Sequence, residues 1–87
     1  MSANHPPTLP TAFVCQRDSY IDAAISEAWA ANAHTAVGNA DAASADIDLM
    51  VKSLRQAQAL CSDAPAISKE PCDTAWITCD YIAAHLP

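Results

Sequence analysis

A stripe of mostly apolar positions runs along the first half of the chain at Ile21, Ala24, Ile25, Ala28, Ala31, Asn32 and Ala36, with Trp29 beside Ile25 at its edge. Spacings of three and four are the repeat of an amphipathic α-helix. Ser26, Glu27, Ala30 and His34 fall on the far side. The stripe is mostly alanine, so a partner helix can approach closely while little area is buried per residue, which leaves Trp29 to supply much of the grip. A second stripe runs through Ala43, Ile47, Met50, Leu54, Ala57 and Cys61, alternating by four and three in a heptad-like seam. A third runs through Cys72, Ala75, Trp76, Cys79, Ile82, Ala83 and Leu86.

Turn and cap residues divide these stripes into helices at about 18–37, 40–61 and 69–85. Pro6, Pro7 and Pro10 make residues 1–12 a flexible proline-rich arm. Asp18 or Ser19 can cap the first helix, with Phe13 and Val14 tucked under its first turn. Gly38, the only glycine, fits the left-handed position that closes a helix, and Asn39 fits the next N-cap. A helix continuous through Gly38 would be about 66 Å long and could not bury its stripe without a second chain, which favours a hairpin. Residues 62–67 read as a loop. Ser68 or Glu70 then starts a third helix with Pro71 in its first turn and Asp73 near its positive end. Residues 13–87 are therefore expected to form one all-α domain, a helical hairpin plus a third helix in a three-helix bundle, assembling as a homodimer.

Some apolar residues belong to none of the stripes. Leu49 and Leu60 lie together about 100° to one side of the second seam, where either the third helix or a partner covers them. Asp48, Lys52 and Arg55 mark a solvated face of the same helix. Ile77 and Tyr81 sit one turn apart on the third helix, opposite its stripe, flanked by Asp73 and Asp80. They are either tolerated surface residues or one side of a second contact. With Trp29 they complete a set of five candidate partner-binding residues: Trp29, Leu49, Leu60, Ile77 and Tyr81.

Charge narrows the choice of partner. The 87 residues carry a net charge of −6, with Arg17, Lys52, Arg55 and Lys69 the only lysines and arginines, too few to neutralise many phosphates. Direct nucleic-acid binding is thereby disfavoured and a protein partner expected. No stretch approaches the roughly 20 apolar residues of a membrane span, and Met1 to Cys15 lacks a cationic start and an apolar segment, which points to the cytoplasm.

Four cysteines leave the redox state open. In an up-down-up bundle Cys15, Cys61 and Cys72 share one end, and Cys79 lies two turns further along the third helix. Of the three pairings, Cys61 with Cys72 and Cys15 with Cys79 suits this layout best. In a reducing cytosol the thiols instead serve as small hydrophobes; in an oxidising compartment they pair. A metal site is not expected, since there is no Cys-x-x-Cys and His5, His34 and His85 are scattered. Cys15 beside Arg17 is the nearest approach to an activated nucleophile, but no base or glycine loop completes it. The expectation is a non-catalytic protein without cofactor.

The function expected is that of a small acidic regulator, of inhibitor or anti-activator type, which occupies a surface of a larger protein through a helical face. Two alternatives stand beside it: an acidic mimic of nucleic acid that blocks a DNA- or RNA-binding protein, and a disulfide-stabilised structural module.

Overall fold

The computed structural model describes residues 9–64 and 66–87 and shows three α-helices: α1 (Leu9–Ala36), α2 (Ala40–Asp63) and α3 (Glu70–Ala84). All regular structure among the described residues is helical, and the helices pack as a bundle. Residues 1–8 of the expected proline-rich arm lie outside the described residues.

α1 begins nine residues before Asp18, the earlier of its two expected caps. Pro10 stands in the first turn, where a missing backbone N–H costs nothing because the first four N–H groups of a helix have no partner within it. Asp18 and Ser19 are consequently interior helical residues, not caps. Phe13 and Val14 belong to the helix itself and pack, half-buried, against Ala57, Cys61, Ile67 and Cys72.

The hairpin turn follows from two residues. Gly38 has φ +79°, donates its N–H to Thr35 O at 3.0 Å, and is followed by Asn39 donating to His34 O at 2.8 Å. These two bonds close α1 in the Schellman arrangement, which needs a left-handed residue at this position. The Asn39 side chain then accepts from Ala42 N at 3.2 Å, satisfying one of the free N–H groups at the start of α2. Asp41 in that first turn faces the positive end of the helix dipole.

α1 and α2 pack through small residues. Ala24, Ala28 and Ala31 on α1 and Ala57 on α2 have no exposed surface, and Met50 and Leu54 fill the space that alanines leave. Each buried methyl contributes about 0.8 kcal/mol, against roughly 1.5–3 kcal/mol for a leucine or methionine, so Met50 and Leu54 supply much of the grip. Trp29, expected in that role, is 57% exposed and turned away from the seam.

α3 docks chiefly on α1 and more lightly on α2. Its Ala75, Cys79 and Ile82 join Ala24, Ala28, Met50 and Leu54 in a central cluster to which all three helices contribute. Pro71 stands in the first turn with Glu70 and Asp73 at the positive end. Lys69 occupies the cap position without a side-chain bond, and Ser68 Oγ accepts from Glu70 N at 3.1 Å.

Polar side chains fasten the helices at three levels. Near the hairpin turn the Nδ1 of His34 lies 2.6 Å from Oδ2 of Asp46. Midway, Ser53, buried in the α2 seam, donates to Oε1 of Glu27 at 2.9 Å. At the far end Arg17, buried in α1, donates from one guanidinium nitrogen to Ser68 O at 3.0 Å and from another to Oδ1 of Asp18 at 2.9 Å.

Candidate functional site

Trp29 of α1 and Ile77 and Tyr81 of α3 face one groove between the two helices. It is about 430 Å³ in volume, with Asn32, Thr78 and His85 along its walls and Ile82, itself buried, at its floor. Helix geometry produces the convergence. α3 runs beside the middle of α1, so residues one step outside its buried stripe meet those one step outside the alanine stripe. Ile77 is 70% exposed and Tyr81 65%. Three large apolar side chains on one exposed face constitute a patch, which scattered surface residues do not.

Tyr81 is held in place. The His85 ring stacks on it with centroids 4.1 Å apart and planes 24° from parallel. Nδ1 of His85 in turn donates to the Tyr81 carbonyl at 2.7 Å. An aromatic anchor fixed in this way loses little conformational freedom when a partner covers it.

The surroundings of the groove are acidic. Asp22 stands two turns before Trp29 on the same side of α1, and Asp73 and Asp80 flank Ile77 on α3; all three are exposed. Arg17, the one lysine or arginine within α1 and α3, is buried and bonded to Asp18 and Ser68.

The other two expected binding residues stand elsewhere. Leu49 is 48% exposed on α2, and Leu60 is half-buried near the end of that helix; neither lines the groove.

The cysteines also separate. Cys61 and Cys72 bring their Sγ atoms to 2.9 Å in the buried end of the bundle, under the loop that joins α2 to α3. Cys61 Sγ lies 3.6 Å from Ser68 O, to which its S–H donates, leaving Cys72 to donate to Cys61. Burial, reinforced by this bond, pushes the Cys72 thiol up to about 12 although the Arg17 charge works in the other direction. Cys79 has no exposed surface and lies in the central cluster, where burial, with Asp80 and Glu27 nearby, also raises its pKa. Cys15 is exposed on α1, and all four thiols are free. Cys15 and Cys79 are thus placed in different surroundings, one open to solvent and one sealed. Among the described residues no three His, Cys, Asp or Glu side chains gather as a metal site would require, and no helix is long and apolar enough to cross a membrane.

The sequence does not announce the contacts that Arg17, Ser53 and Asp46 make between helices. Arg17 carried a signal: the α1 stripe extended backwards from Ala24 and Ile21 by a further four residues lands on it. Asp46 paired to His34 had none, since its partner lies across the hairpin. The Nε1 of Trp76 is buried without a hydrogen-bond partner, on a side chain packed against the central cluster.

No family model matches the chain, and no curated protein or solved structure matches it.

Proposed function

We propose that this protein is a non-catalytic regulator that docks a basic and apolar surface of a larger protein into the groove between α1 and α3. The observation that carries this reading is the convergence of Trp29, Ile77 and Tyr81, each more than half exposed, on one side of the bundle. Aromatic residues that start exposed and are already ordered are those that concentrate interface energy. The acidic surroundings set the complement. A second copy meeting this face symmetrically would set Asp22, Asp73 and Asp80 near their own equivalents, whereas a cationic helix would find them favourable.

Self-association belongs to a different surface in this reading. Leu49, exposed on α2 and outside the groove, is the residue on which a two-fold dimer would centre, leaving the groove to the larger protein.

The test is affinity capture from host lysate with three baits: wild type, Ile77→Ser/Tyr81→Ser and Leu49→Ser. A partner retained by wild type and Leu49→Ser but lost from the double variant supports the groove. A partner retained equally by all three removes it. Binding of the purified partner at roughly 0.05 and 0.5 M salt then separates an apolar contact, which persists, from mimicry of nucleic-acid charge, which collapses as the Debye length shrinks.

A further inference from the structure

We infer that Cys61 and Cys72 are a dithiol pair that a small-molecule disulfide, of the glutathione class, converts to an intramolecular disulfide tying the end of α2 to the start of α3. The two sulfurs are already 2.9 Å apart, so bond formation needs an approach of only about 1 Å. They sit on different helices, joined by a short loop, at the one place where α2 and α3 follow each other directly. Both side chains are almost fully buried, with Ala57 and Ile67 packed around them. The Arg17 guanidinium on Ser68 O and the Cys61 thiol on the same oxygen hold the loop down over the pair.

This burial determines how the chemistry proceeds. In the closed bundle neither sulfur is open to attack, and burial keeps the Cys72 thiol protonated, so reaction follows opening of the loop. The Cys61 thiolate then attacks one sulfur of the small disulfide, forming a mixed disulfide and releasing one small thiolate, which takes up a proton. As the bundle closes, the Cys72 thiolate attacks the Cys61 sulfur and displaces the second small thiol. Two protein thiols are oxidised and one disulfide is reduced to two thiols, so atoms, electrons and protons balance. Cys15 is exposed while the other three thiols are buried, so it stops at the mixed disulfide; Cys79, without exposed surface in the central cluster, stays reduced while α3 remains docked on α1.

α3 gains most from such a bond. It rests mainly on α1, and its link to α2 is light. A covalent tie closing a loop of this length raises the melting temperature by on the order of 10 °C in a domain this small.

The experiment incubates the full chain, as Cys15→Ser to remove the exposed thiol, with oxidised glutathione under native conditions. Free thiols are then blocked in denaturant with iodoacetamide. Digestion at Lys, Arg and Asp places each cysteine on its own peptide. The expected result is a protein lighter by two hydrogens, a single linked peptide pair carrying Cys61 and Cys72, alkylated Cys79, and a melting temperature that rises and falls back on adding dithiothreitol. Three results would overturn the inference: no linked pair at any glutathione ratio, a linkage that includes Cys79, or a Cys61–Cys72 bond that leaves the melting temperature unchanged. Because the measurement uses the otherwise intact chain, it does not depend on whether Cys61→Ala or Cys72→Ala folds.

Discussion

The two faces of α1 solve the problem of holding a neighbour in opposite ways. Towards α2 it offers Ala24, Ala28 and Ala31, none with exposed surface, so along this stretch the two helices meet through small side chains. Towards α3 it shares the same core, but one step round the helix stands Trp29, and there the two helices border an open groove. A small-residue seam gives close packing and a closed surface; a large residue at the seam's edge keeps part of the surface open. Structure and recognition are thereby divided between two sides of one helix.

The strongest way to break this division is to disturb the closed side. Leu54→Ala should cost roughly 3 kcal/mol, since Leu54 fills the space between alanines, and Ala28→Leu about 1–3 kcal/mol through overpacking. Urea denaturation would read both as a lower midpoint at unchanged slope. An Ala28→Leu variant as stable as wild type would mean that the seam has slack and that the contrast is false.

Alkali probes the α3 side. Cys72 is raised from 9.0 to about 12 in the folded protein, so above pH 9 the unfolded chain releases its proton while the folded one keeps it. Stability contributed by the neutral buried thiol is complete below about pH 9 and is lost as pH rises towards 12. Thermal melts across this range should fall more steeply for wild type than for Cys72→Ala. Parallel profiles would remove Cys72 as the cause.

A smaller effect comes from the hairpin turn that the closed side requires. Gly38→Ala should cost about 1 kcal/mol. At φ +79° no neighbour lies within 4 Å of an added methyl, so the whole loss is backbone strain. Gly38→Asn, which tolerates the left-handed region better, should recover part of it.

The smallest expected effect is the sharpest contrast. Ile77→Ala with Tyr81→Ala should leave unfolding stability within about 0.5 kcal/mol of wild type, because both side chains are mostly exposed. A loss comparable to that of Leu54→Ala would make these residues structural and close the groove as a recognition surface.

How far the sequence is legible follows the same division. The α2 seam could be read residue by residue, because Ala43, Met50, Leu54, Ala57 and Cys61 are buried where a heptad-like spacing puts them. Gly38 and Asn39 could be read because turn chemistry is local. The start of α1 could not, since Pro10 marks a break and a permitted first turn equally well. Trp29 reads both as grip at the edge of the stripe and as a partner-binding residue, because a large side chain there can lean either way and only the position of α3 decides. Ile77 and Tyr81 could be recognised as surplus, but the groove they share with Trp29 depends on the pairing of α3 with α1, which no local pattern encodes.

The carbonyl of Ser68 receives a guanidinium from α1 and a thiol from α2, one residue before the α3 cap. It acts as a latch for the third helix. α1 and α2 can form their hairpin from neighbouring sequence, whereas the start of α3 rests on donors that both of them supply. One wall of the groove and one of the paired thiols ride on that helix. Opening of this latch frees the first turn of α3 and bares the dithiol, while Cys79, two turns further along, stays in the central cluster; amide exchange should be faster over that first turn than over the stretch from Ala75 to Ile82.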